Sequence, residues 1–127
     1  MKHTPTGHSA FENKIYFPQK KNGEKLKGYS ATYKRIEWYK PAPTITMRND
    51  AISSQSNVHP GRLLPNGLYS DARVLTLREL FILSSINPDI DVPDFASDSQ
   101  IRYMIGEAVP PRLIESVVKN IKEARKK

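Results

Sequence analysis

Thr76-Leu77-Arg78-Glu79-Leu80-Phe81-Ile82-Leu83 is the stretch where the architecture of this chain declares itself. A Thr followed three residues later by a Glu, ahead of an apolar run, is a capping box. The Thr hydroxyl accepts from the third amide, and the Glu carboxylate takes the cap's own N–H. The helix it opens presents Leu77, Leu80, Phe81 and Leu83 and is expected to end near Asn87-Pro88. Ser97-Asp98-Ser99-Gln100 repeats the device and predicts a second helix, with Ile101, Met104 and Ile105 on one side and Gly106 near its end. Pro110-Pro111 then starts a third, at positions where a missing N–H costs nothing. Leu113, Ile114, Val117, Val118 and Ile121 form its apolar stripe. Lys119, Lys122 and Arg125 to Lys127 enrich its end in cations, as the helix dipole favours.

Upstream the signals change. Ile15-Tyr16-Phe17 leads to Asn22-Gly23, which suits a type I′ turn with positive φ at both central residues. Tyr29 to Trp38 alternates loosely, and Pro41-Ala42-Pro43 feeds a short β-type run, Thr44-Ile45-Thr46-Met47. Residues 49–66 are polar, hold Pro60, Gly61 and Pro65, and read as loop. The expected fold is α+β: an irregular β-rich N-terminal half with short strands and hairpins, then three C-terminal helices. The expected division is 1–72 and 73–127, with no internal repeat.

Composition bounds the function. Among 127 residues, 38% are hydrophobic and 26% charged, with 10 prolines; that is low for a compact globule and predicts help from a partner surface. With no Cys there is no disulfide, no thiolate zinc site and no cysteine nucleophile. His3, His8 and His59 share no metal-ligand spacing, so no metal is expected. No stretch is apolar enough to span a bilayer, the first residues lack the apolar block of a signal peptide, and a reducing cytoplasm fits. Residues 1–62 hold eleven Lys/Arg against four acids, a net of +7, whereas residues 63–127 hold nine of each and are neutral. An excess confined to one half points to a polyanion, and nucleic acid is the expected partner.

Two motifs then bring in a family. Arg73-Val74-Leu75-Thr76-Leu77-Arg78-Glu79 resembles the Arg-x-Leu-Thr-x-Arg-Glu block of the bacterial DNA (cytosine-5)-methyltransferases. Ile105-Gly106-Glu107-Ala108-Val109-Pro110-Pro111 resembles their final motif, usually Gly-Asn-Ala-Val-Pro-Pro. Arg35 to Thr46 is similar to the segment preceding these motifs, and His59-Pro60 sits where such enzymes often carry a His-Pro. Order and spacing agree over residues 29–118. The departures are as informative. The family's Pro-Cys nucleophile, its glycine-rich turn for S-adenosylmethionine, and its Glu-Asn-Val and Gln-x-Arg-x-Arg blocks are missing, and Glu107 replaces the usual Asn.

The resemblance implies a second part of an enzyme, whether a small subunit or a piece of a longer protein, with no catalytic residue of its own. Its implied partners are double-stranded DNA and a catalytic portion. There a Cys would attack position 6 of an extruded cytosine while carbon 5 takes the methyl group. Thr44 and Thr46 are then candidates for a phosphate beside that cytosine. Lys20, Lys21, Lys34, Arg35 and Arg48 are the cationic DNA candidates. Gly106, Glu107, Ala108 and Val109 would edge a shared S-adenosylmethionine pocket. Arg73 would hold the recognition region through charge-assisted bonds, while Thr76 and Glu79 are structural caps. The third helix's stripe predicts self-association of the isolated chain. The alternatives are a stand-alone nucleic-acid-binding protein and a small module for an acidic partner.

Overall fold

Capping decides where the regular structure sits. In a computed structural model that describes residues 1–125, α1 is Leu77–Leu83, α2 is Asp98–Glu107 and α3 is Pro111–Ala124. Lys126 and Lys127, counted above among the last helix's cations, lie outside the described residues. Both capping boxes form, Thr76 with Glu79 and Ser97 with Gln100. α1 stops earlier than Asn87, because Ser84 caps its C-terminus and Ser85 turns to φ 53°. Gly106 lies inside α2, whose C-cap is Ala108. No described helix is long and apolar enough to cross a membrane.

The core is small. Ile36, Leu75, Leu80, Phe81 and Ile105 are buried together, edged by Ile45, Leu77, Ile86, Val92 and Ile101. α1 packs on α2, while α3 packs on neither and buries none of its residues.

The expected β-rich half is overturned. The described residues contain no strand and no sheet, only isolated bridges such as Ser9 with Lys34, Arg35 with Val58 and Val58 with Val74. Thr44 to Met47 is irregular. The reason is physical: Pro41 and Pro43 lack N–H donors for a ladder, and too few large aliphatics line up to give a sheet a face worth burying. Side chains reinforce these scattered main-chain bonds. Trp38 Nε1–H donates to the Gly61 carbonyl at 2.8 Å, the Thr6 hydroxyl to that of Pro60 at 2.8 Å, and the Ser9 hydroxyl to that of Thr32 at 2.8 Å.

The turn at Asn22-Gly23 also differs from expectation. Gly23 N–H donates to the Lys20 carbonyl at 3.0 Å, and only Gly23 has positive φ, at 84°. This is a type I turn followed by a left-handed Gly, not type I′. The same turn recurs at Leu64-Pro65-Asn66-Gly67, inside the stretch read as plain loop, with Gly67 at φ 76°.

Candidate nucleic-acid interface and cofactor edge

Arg35, a DNA candidate from sequence, lies in the interior at 0% exposure. Its Nη1 donates to the carbonyls of His59 at 2.6 Å and Asp71 at 3.1 Å, and its Nη2 to those of Ser70 at 2.9 Å and Met1 at 3.2 Å. Gly61, at φ 68°, must be Gly, since a Cβ there would sit 2.4 Å from Arg35 Nη1 and 2.6 Å from the Ser70 carbonyl. Arg35 is therefore a structural clasp and leaves the list of DNA-contacting cations.

The other cations stay outside. Lys20 pairs with Glu24 at 2.8 Å on the turn that also carries exposed Lys21. Lys34 is half-buried beside its bridge to Ser9, and Arg48 is exposed. Thr44 is exposed on the irregular segment, while the half-buried Thr46 donates its hydroxyl to the Arg48 carbonyl at 3.1 Å.

Gly106 joins this segment to the final motif. A Cβ at Gly106 would lie 2.5 Å from Met47 N and 2.6 Å from Thr46 C, so the backbone after Thr44 presses directly against α2. A buried polar network fixes the contact. Asn49 Nδ2 donates to the carbonyls of Thr46 at 2.8 Å and Arg102 at 3.1 Å. Arg102 Nη1 donates to Asn49 Oδ1 at 3.2 Å and to the Leu75 carbonyl at 2.9 Å, while its Nε pairs with Asp98. Asn57 Nδ2 adds bonds to the carbonyls of Asn49 and Ala51, each 2.9 Å. Sequence reading missed Asn49, Asn57 and Arg102; the Asp98–Arg102 spacing of four on a helix was the available signal. Glu107, Ala108 and Val109 are exposed at the end of α2, and the Glu107 carboxylate, four residues on from Tyr103, raises the phenol's pKa.

Arg73 grips Glu79 with both Nη atoms, at 2.8 and 3.0 Å, while Glu79 also accepts the Thr76 N–H at 2.7 Å. That grip pulls the Glu79 pKa from 4.5 to about 2. His59 sits beside Asp71 at 3.8 Å and Glu79 at 3.7 Å, accepts the Gly61 N–H on Nδ1 at 3.0 Å, and meets Trp38 edge to face; burial holds its pKa below 6.5. Both groups favour the fold in their deprotonated state. Glu79 stabilises fully above pH 4.5 and loses that contribution as pH falls toward about 2. His59 contributes fully above pH 6.5 and less below it. The melting temperature should therefore drop in two stages on acidification, and Glu79→Gln should shrink the lower one. An unchanged lower stage in thermal melts of that variant would contradict the assignment.

These contacts describe a cation-rich irregular half locked onto a helical edge, with one helix left bare. The chain belongs to the C-5 cytosine-specific DNA methylase family, whose model matches residues 1–123. It is similar to the Type II methyltransferase M1.HgaI of Avibacterium volantium, 58% identical over 121 residues that make up 95% of this chain and 34% of that protein. It is 30% identical to the Type II methylase M.HgiDII of Herpetosiphon aurantiacus over 109 residues, 82% of this chain and 27% of the relative. The Type II methyltransferase M.AquIB of Picosynechococcus sp. is 29% identical over 112 residues, 81% of this chain and 71% of its own length. The chain thus spans about a third of the first relative and 27% of the second. No solved structure matches.

Proposed function

We propose that this chain is the DNA-facing, C-terminal portion of a restriction–modification DNA (cytosine-5)-methyltransferase, acting in the cytoplasm, and that it transfers no methyl group by itself. Residues 1–72 face the duplex, and residues 73–127 dock on a catalytic portion that supplies the nucleophile and the main cofactor site. The observation that carries this reading is α3. Its Leu113, Ile114, Val117, Val118 and Ile121 are all 43–55% exposed, in a chain that covers only part of its longer relatives. An apolar face of that size on a described chain with so small a core is a seat for another surface.

Thr44, Thr46, Lys20, Lys21, Lys34 and Arg48 contact phosphates, which sets register without reading sequence. Gly106 serves the same site from behind, because its bare face is filled by the backbone of Thr46 and Met47. The residues at the end of α2 fit one edge of a cofactor site. Glu107 is exposed and anionic and would take the ammonium of S-adenosylmethionine, while Ala108 and Val109 offer an apolar rim. The cofactor, when bound, supplies the methyl group. The test is transfer from labelled S-adenosylmethionine to DNA by the purified chain, alone and mixed with candidate catalytic portions. Background incorporation alone and transfer in one mixture are expected; incorporation by the chain alone would sink the reading.

A further inference from the structure

The neutral C-terminal half is polarised within itself. Residues 79–101 hold five acids, Glu79, Asp89, Asp91, Asp94 and Asp98, and no Lys or Arg. Residues 111–127 hold six Lys/Arg against Glu115 and Glu123. An apolar face accompanies each charge. The acidic stretch, together with α2, walls a groove of about 410 Å³, and a cleft with apolar walls holds water poorly. Phe81 and Ile105 are buried at its base, while Ile90, Phe95 and Met104 line it at 50%, 89% and 66% exposure. The basic stretch carries α3, whose stripe from Leu113 to Ile121 is half exposed.

The two faces do not meet within one chain. Arg112 N–H donates to the Ser85 Oγ at 3.3 Å and ties the start of α3 beside the end of α1, yet α3 packs on neither other helix and none of its residues lines the groove. Their charges nevertheless match. Asp91 lines the groove and Asp94 precedes Phe95, and neither has an ion-pair partner among the described residues. Arg78 of α1 and Arg102 of α2 are already taken by Asp89 and Asp98, and Glu107 adds a further acid at the end of α2. On α3, at about 100° per residue, Lys122 and the C-cap Arg125 flank the stripe, while Arg112, Lys119 and Glu123 turn away from it. Glu115 lies on the Lys122 side, two turns earlier. The end of the stripe is thus edged by cations and the groove by acids. A second copy brings both members of this match at once. Each α3 enters the other's groove, so a two-fold pair closes with neither apolar face left bare.

We propose that the groove walled by residues 86–96 and α2 receives the α3 stripe of a second copy, in a reciprocal pair. The pair stands independently of the reading of α3 as a seat for a catalytic portion, which would take the same stripe by exchange. The test is sedimentation equilibrium of the full chain at low salt over a range of concentrations. A dimer is expected, with a dissociation constant that rises as salt is added. The double variant Asp91→Lys, Asp94→Lys should raise that constant about tenfold, and Lys122→Asp with Arg125→Asp should do the same. Combining all four changes should recover most of the lost affinity, because the opposed charges then match again. Phe95→Ser should weaken the pair by at least about tenfold through lost apolar burial. All five positions are exposed, so each variant keeps the wild-type melt. A monomer at every concentration overturns the proposal, and a mass that climbs past the dimer overturns the closed pair. A dimer indifferent to the groove variants, or one that the fourfold variant fails to recover, puts the contact elsewhere and overturns it too. Methyl transfer in mixtures with catalytic portions tests the other reading separately.

Discussion

Arg35→Ala should leave a chain with no cooperative melt. The guanidinium is wholly buried and serves four carbonyls drawn from Met1, His59, Ser70 and Asp71. Bonds from charged donors are worth about 1.5–3 kcal/mol each, and their loss strands the acceptors without water. Together with the cavity left behind, the cost should exceed about 4 kcal/mol, where single substitutions become exceptional. Ordinary domains hold only about 5–15 kcal/mol in total, and this core has five buried apolar residues. Arg35→Lys should fare little better, because one ammonium cannot reproduce a planar fork that reaches carbonyls on both sides. Burial lowers the Arg35 pKa and Asp71 opposes that shift. Circular dichroism melts of both variants provide the check, and wild-type cooperativity in the Ala variant would show that the clasp is dispensable.

Val117→Asp should do the reverse, sparing the chain and removing its assembly with the catalytic portion. Val117 is central on α3, which touches neither other helix, so an Asp there meets water in the isolated chain. In an assembled enzyme the same carboxylate would be carried into an apolar contact. The lost apolar burial and the unpaired charge should together cost about 3 kcal/mol, roughly a hundredfold in affinity. Methyl transfer in the mixture should fall accordingly, while salt-dependent DNA retention by the chain stays as it was. The unmodified chain on its own should self-associate, since five large apolar side chains of the α3 stripe are about half exposed. A monodisperse monomer whose Val117→Asp variant unfolds would place the stripe in an internal core.

What could be read from the sequence followed the range of the interactions concerned. Thr76 with Glu79, and Ser97 with Gln100, close within one turn, so the helix starts were legible. The +7 half was legible because charge is additive, yet its most telling member was misplaced. Arg35 stands between Lys34 and Ile36 and reads as one more surface cation. Its burial depends on carbonyls up to 36 residues away, which no local pattern announces. Strands failed for a related reason. Alternation from Tyr29 to Trp38 supplies the side-chain rhythm, but a sheet also needs a partner run with free donors, and Pro41 and Pro43 withhold theirs. At the site, Gly106 read as either a helix stop or a cofactor neighbour. Its observed contact with Met47 lies 59 positions away in sequence and had no signature.

A β-ladder is largely indifferent to the side chains it carries, because main-chain groups pair with main-chain groups. The N-terminal half described above has only isolated main-chain bridges and adds to them stitches from individual side chains: Thr6, Ser9, Arg35, Trp38, Asn49 and Asn57. Loss of a stitch leaves its carbonyls without that donor, so a change at one of these positions should cost stability. The two turn tips, at Lys21-Asn22 and Pro65-Asn66, have Gly23 and Gly67 beside them with nothing within 4 Å of either's open face. Substitutions can therefore collect at the tips while the stitches stay as they are, so that a single frame has room for many different turns on its outer face.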